Sequence, residues 1–301
     1  PDGSGLQLEP GAPTVAFARA VLRQRRWTFG ERILLLAAAT GWALRRFRCD
    51  ETLTVGTLTA RLPSAVREQL IDPLCVAALN TPADEASASV FLRVLRDALF
   101  SGPGSADLLL PRVSLGDLMP APAQHHLTGA ELRLQTRVTT LAPNGARWAV
   151  DGELFDRVVL AATPTESARL AGTIAPDWAA CATALRYEPI VTVYLHRDGV
   201  QLAEPMLALR SDAQAPAQFV FDRGQLGGPS GLLAFVISGA RTWVDLGLEA
   251  TTAATLAQAR ALLGLELTAV HCIAEKRATF RCTPGLRRPA ARIAPGLLAA
   301  G

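Results

Sequence analysis

Lysine is almost missing from this chain of 301 residues. Of its 30 basic residues only Lys276 is a lysine, and the rest are arginine. Such a skew reads first as coding bias in a GC-rich genome. Charge of either kind is scarce, at 19% of residues, and the net charge of +3 is too small to argue for a nucleic-acid partner. The five cysteines, Cys49, Cys75, Cys181, Cys272 and Cys282, are odd in number, scattered and without C-x-x-C spacing. That argues against a disulfide framework or a zinc site and for a reducing compartment. The four histidines form no metal constellation; His125 and His126 adjoin, and read as helix-surface residues. No run approaches the ~18 apolar residues of a spanning helix, and no signal-peptide pattern opens the stretch. G-x-S-x-G, P-loop and H-E-x-x-H patterns are absent. Neither Gly3-Ser-Gly5 nor Gly102-Pro-Gly104 belongs to a G-x-G-x-x-G loop that could cradle a dinucleotide phosphate.

What is present is apolar. Half the residues are hydrophobic and the mean hydropathy is +0.23, which excludes a disordered chain and supplies a sizeable core. The length suits about two domains of ~100–200 residues each. Residues 1–12 read as a strand or hairpin. Two helices follow, from Pro13-Thr14 and from Glu31 to Phe47, separated by a break at Trp27-Thr-Phe-Gly30. Eight arginines and one acid, Glu31, lie between residues 14 and 48. By spacing alone this is an amphipathic pair with a solvated basic face. The other reading is attachment to an anionic membrane surface. Further helices start at Pro63-Ser64, at Asp72-Pro73 and after Thr81-Pro82, the last with Phe91, Leu92, Leu95 and Leu99 on one face.

From Glu131 the period is that of strands. Leu132–Val138 alternates, and Asn144-Gly145 reads as the hairpin turn joining it to Ala146–Val150. Asp151-Gly152 makes a second turn into Leu154–Ala162, a run apolar enough to be one buried strand covered on both faces. A short helix follows from Glu166 to Ala171. Strands are expected at Ile190–His196, Met206–Arg210, Gln218–Phe221, Leu232–Ile237 and Leu267–Ala274. A helix is expected from Val244 to Leu263, and a basic strand and loop over Glu275–Pro284. The class is mixed α/β with a helical insertion. An apolar rise into Gly301 looks like a buried strand cut at its carboxyl edge, so the stretch reads as an internal piece of a longer protein.

Several stretches resemble a known family. Val138, followed by Gly152-Glu-Leu-Phe-Asp-Arg-Val-Val-Leu-Ala-Ala-Thr-Pro164, is similar to the flavin amine oxidase and phytoene desaturase superfamily. Asp72–Pro82, Ser89–Asp97 and Asp107-Leu-Leu-Leu-Pro-Arg-Val-Ser-Leu115 narrow the resemblance to the squalene-associated FAD-dependent desaturases, or hydroxysqualene dehydroxylases, of hopanoid biosynthesis. The resemblance implies a two-domain flavoprotein with interleaved segments. Residues 1–12 and 171–292 would form the substrate-domain sheet and helices, and 13–130 a helical part facing substrate or membrane. Residues 131–170 and 293–301 would belong to the FAD domain. FAD is the implied cofactor, with Val138 meeting the adenine through its backbone. Ala162, Thr163 and Pro164 would line the flavin edge, and Gly301 the pyrophosphate side. The implied reaction is reductive loss of the hydroxyl of hydroxysqualene. Asp107, Arg112 and Asp117, polar groups beside apolar runs, are the candidates for handling its proton. An apolar isoprenoid substrate and an unnamed electron donor are the implied partners. The location would be cytoplasmic, at the inner face of the cytoplasmic membrane through residues 14–48. The alternatives are a carotenoid-type desaturase or isomerase and a non-catalytic lipid- or membrane-binding module.

Overall fold

A computed structural model describes residues 6, 8–9, 11–99, 101–102 and 104–300. Two compact units emerge, Pro1–Pro122 with Tyr187–Gly285 and Ala123–Arg186 with Leu286–Gly301.

The first unit begins with helices. α1 (Pro13–Arg23) opens on a proline, which suits the first turn because its missing N–H has no partner there anyway. α2 (Phe29–Leu44) starts at Thr28, whose side chain caps Glu31 N while Glu31 reaches back to Thr28 N, 2.7 Å away. That reciprocal cap is why the helix begins two residues before Glu31. A π-turn at Arg67–Ile71 leads into α3 (Asp72–Leu79). α3 ends on Asn80, in the left-handed region at φ 48°. α4 (Ala88–Leu99) follows. Phe17, Val21, Trp27, Leu35, Phe91 and Leu92 meet in the core of this helical layer. The expected strand over residues 1–12 falls partly outside the described residues; Leu6 and Leu8, which are described, join no strand but pack on this core.

The second unit contains two small sheets. β1 (Leu141–Asn144), β2 (Arg147–Val150) and β3 (Glu153–Phe155) form an antiparallel meander. Residues 132–138, expected as its first strand, are irregular. Gln135 takes φ 56° and breaks the extended path, and Leu134 is 72% exposed. The Asn144-Gly145 turn instead joins β1 to β2. The run expected as one buried strand, 154–162, also divides. β3 stays in the meander, while β4 (Val158–Leu160) enters another sheet, and Val159 is 56% exposed. Helices α5 (Pro164–Ala171) and α6 (Pro176–Thr183) follow.

The chain then builds the sheet of the first unit: β5 (Tyr187–His196), β6 (Met206–Ala208), β7 (Phe219–Asp222), β8 (Leu232–Ile237) and, after the helices, β9 (Thr268–Phe280). All pairs are antiparallel, in the order β6-β7-β8-β5-β9. The helix expected from Val244 to Leu263 is two, α7 (Arg241–Leu246) and α8 (Leu248–Leu263), because Gly247 turns the chain at φ 97°. Val191, Val193, Leu195, Phe235 and Ile237 pack on α8 through Ala259 and Leu256. The last strands, β10 (Arg292–Ala294) and β11 (Leu297–Ala299), return to the second unit, where β11 runs parallel to β4.

Asp222 pins the turn of the large sheet. Burial pushes its carboxyl up, but hydrogen bonds from Gln225, from Leu202 N at 2.9 Å and from the Gln225 and Gly224 N–H groups outweigh this and hold it below the usual carboxylate range. Asp222→Ala orphans the buried Leu202 N–H and is expected to cost about 2 kcal/mol of unfolding free energy. A native pKa below the unfolded one means this contribution is present above the ordinary carboxylate pKa and is lost as pH falls through the depressed value. Urea titrations of both proteins at falling pH should therefore converge.

Candidate cofactor edge and substrate face

In the second unit, the parallel strands β4 and β11 end together, with Leu297–Ala299 in register with Val158–Leu160. The carboxyl edge of parallel strands is where open α/β folds place ligands, because loops and helix starts converge there. Here the edge carries a concave site of about 210 Å³. Ala162, Pro164, Ser167, Trp178 and Ala290 are among the residues lining it. Its walls are small side chains, one indole and backbone. Trp178 is fixed in place by donating Nε1–H to Ala290 O at 2.7 Å. Thr163 lies outside this lining and caps α5, its Oγ1 accepting from Glu166 N at 3.4 Å.

α5 also reaches the other expected cofactor residue. Arg169 donates Nη2–H to Val138 O at 2.9 Å and Nη1–H to Thr139 O at 3.0 Å. Its Nε–H is held by Glu166. The Val138 carbonyl is therefore occupied, while the Val138 N–H has no hydrogen-bond partner among the described residues. Asp151, beside Thr140 at the end of the β1–β2 ladder, fixes the same segment. Its carboxylate accepts from the Thr139 hydroxyl at 2.7 Å and from Thr140 N at 2.7 Å. These bonds, led by that from the Thr139 hydroxyl, pull its pKa down to about 2. Asp151 stands at φ 47°, in the left-handed region that aspartate enters more readily than most residues. Sequence reading took Asp151-Gly152 for a turn only. The second role was hidden because Thr139 and Thr140 lie 12 and 11 residues away in the chain. Asp151→Ala should strip hydrogen-exchange protection from the Thr139 and Thr140 amides. In the native protein that protection should persist as pH falls until it passes through about 2.

Gly301 lies outside the described residues. Asp107, Arg112 and Asp117 fall in the first unit and are all exposed. Asp117 is held by a local cap, its carboxylate accepting from Ser114 Oγ at 2.7 Å while Ser114 Oγ accepts from Asp117 N at 3.1 Å. Arg112 contributes backbone, with its carbonyl lying against Gly227. Nothing brings these three side chains onto one another.

Within the first unit the sheet offers a different surface. Cross-strand partners share a face. The pairs Thr192↔Val236, Tyr194↔Ala234, Phe219↔Val236, Phe221↔Ala234 and Met206↔Phe221 put these seven residues on the face opposite α8. It is apolar and aromatic, and half-buried apart from the buried Ala234. His271 and Ile273 extend it along β9. The alternation of Phe219 and Phe221 marked a strand in the sequence, but not which face lacked a helix.

Sequence reading also missed a charge cluster in the first unit. Glu188, 1% exposed, pairs with Arg241, while Arg281 pairs with Glu85. Crossed contacts of 3.5 Å (Arg241–Glu85) and 3.6 Å (Arg281–Glu188) close the quartet. Asn80 locks it to the fold, donating to Glu188 O at 3.1 Å and Thr279 Oγ1 at 3.0 Å and accepting from Gly239 N at 2.6 Å. Separations of 108 and 159 residues for two of these bonds explain why no local pattern announced them. Among the described residues no group of His, Cys, Asp and Glu could hold a metal ion.

No protein-family model matches the chain, and no curated protein matches it. Solved structures do. A candidate protoporphyrinogen oxidase from Exiguobacterium sp. 255-15 is 18% identical, with a TM-score of 0.63 over 100% of this chain and 72% of its own. An oxidoreductase from Methanosarcina mazei is 13% identical, with a TM-score of 0.69 over 91% of this chain and 68% of its own. Wild-type putrescine oxidase, solved bound to putrescine, is 19% identical, with a TM-score of 0.62 over 87% of this chain and 66% of its own. The chain thus shares the mixed α/β fold of these proteins and spans about two thirds of their length.

Proposed function

We propose that this chain works as a FAD-dependent oxidoreductase on a C30 isoprenoid, converting hydroxysqualene to squalene. The observation that carries the reading is the concave site at the carboxyl edge of β4 and β11, where Ala162 and Pro164 sit in the lining. The lining suits a flat heteroaromatic edge: small side chains admit a ring, and the Trp178 indole offers an apolar wall. Its volume is below the roughly 300–1,000 Å³ of a whole ligand pocket, so it fits part of a dinucleotide. The Val138 N–H, on a segment held by Arg169 and Asp151, is available to an adenine. Likeness in fold to oxidoreductases supports the class. The resemblance over Asp72–Pro82, Ser89–Asp97 and Asp107–Leu115 supports the substrate.

In this reaction the substrate takes up two electrons and two protons, losing its hydroxyl as water and gaining a C–H bond. FAD, when bound and reduced by an external two-electron donor, supplies the hydride. The chain's own part is to hold and to exclude water. On the face of Phe219, Phe221, Val236 and Met206 a hydrocarbon would meet mostly apolar side chains, with the Thr192 and Tyr194 hydroxyls and His271 beside them.

The test is flavin retention. Protein purified as its complete gene product should carry the absorbance of bound FAD. Ala162→Trp fills the concave site and should lower FAD affinity at least tenfold while leaving the unfolding midpoint within a few degrees. Unchanged flavin content in Ala162→Trp would remove the site from the account.

A further inference from the structure

α2 is apolar on both sides. Its inner side buries Leu35 and Trp42, at 1% and 9% exposure, with Leu36, Ala38 and Ala39 beside them. Its outer side carries Phe29, Ile33, Ala37, Thr40 and Leu44, spaced three or four residues apart and so aligned on one face. Phe29 is 70% exposed and Leu44 82%. A helix with two apolar sides needs a second apolar neighbour.

The charges around it say which. Arg23, Arg25 and Arg26 are exposed just before the helix, and Arg45, Arg46 and Arg48 just after it. Three of the four acids nearby are engaged, and the fourth, Glu51, is exposed. Glu31 closes the Thr28 cap, Glu9 pairs with Arg23, and the Asp50 carboxylate accepts from Thr52. No helix among the described residues is long and apolar enough to cross a membrane, and the 16 residues of α2 span only about 24 Å.

We propose that α2 lies along an anionic lipid bilayer. Phe29, Ile33 and Leu44 enter the acyl boundary, and the arginines at its two ends meet lipid headgroups. This stands on α2 alone and holds whether or not the flavin reading does. It also gives a chemical reason for the outer face to stay apolar, since dispersing the same residues elsewhere would leave nothing to insert.

The test is co-sedimentation of the complete protein with vesicles of phosphatidylcholine, with and without about 30% phosphatidylglycerol, at low and high salt. The protein should pellet with the anionic vesicles at least tenfold more strongly than with the neutral ones, and high salt should weaken this. Arg45→Glu with Arg48→Glu should lower anionic-vesicle affinity by about fivefold or more per site. Phe29→Ser with Ile33→Ser should lower it about tenfold at any salt, with circular dichroism unchanged, while Ile33→Leu retains it. Protein that stays in the supernatant, or pellets equally after these substitutions, overturns the proposal. So does a wild-type dimer that Phe29→Ser with Ile33→Ser splits without loss of vesicle binding, because a second copy would then cover the face.

Discussion

Glu188→Ala should lower the unfolding free energy by roughly 3 kcal/mol, because it removes a buried carboxylate and leaves Arg281, 26% exposed, and the half-exposed Arg241 with Glu85 alone. Glu188 is almost fully buried and faces two guanidinium groups, those of Arg241 and Arg281. After the substitution both arginines must share Glu85, which Arg241 meets only at 3.5 Å. The native cluster is itself imperfect: Glu188 Oε1 and Arg281 Nε, both buried, have no hydrogen-bond partner. An apolar replacement of the whole cluster could therefore be tolerated, whereas removal of one charge could not. The contrast is measurable in one double-mutant cycle. Glu188→Ala with Arg241→Ala should be less destabilised than the sum of the two single variants. Additive losses in urea unfolding would mean the pair is not coupled.

Gly227→Ala should be the next most damaging change, at about 3 kcal/mol, although Gly227 is exposed. Its φ of 79° costs an alanine roughly 1–2 kcal/mol on its own. The new Cβ would also fall inside van der Waals contact of the Arg112 carbonyl oxygen. The turn after β7 and the strap around Arg112 cannot both keep their places, so the strap should lift. Arg112 then becomes a trypsin site: cleavage after it should speed up about tenfold or more in the variant, with the large sheet still folded. An unchanged cleavage rate would mean the strap is held elsewhere.

These two sites show where the sequence was legible. Strand β8 was read at its observed limits, because a short continuous apolar run bounded by Gly-rich turns is a local signal. Helices α1 and α3 were announced by prolines, whereas the Thr28 cap of α2 lay inside a stretch that read as a break. Local signals failed where a backbone angle decided. Gln135 ended the expected strand at 132–138, and Gly247 divided an expected helix. At the cofactor edge the Ala162–Pro164 loop was visible as an apolar strand running into Thr-Pro. The roles of Asp151 and Arg169 were not, since both act on a segment far away in the chain. Glu188, Asn80 and Gly227 were silent for the same reason. Their partners come from other elements, and only tertiary structure assembles them.

The most direct test of the flavoenzyme reading is anaerobic turnover. The complete protein, loaded with FAD and reduced chemically, is mixed with hydroxysqualene, and both flavin oxidation and product are followed. The reading predicts one squalene formed for each flavin oxidised. Flavin that stays reduced in the presence of hydroxysqualene, with no squalene extracted, would contradict it.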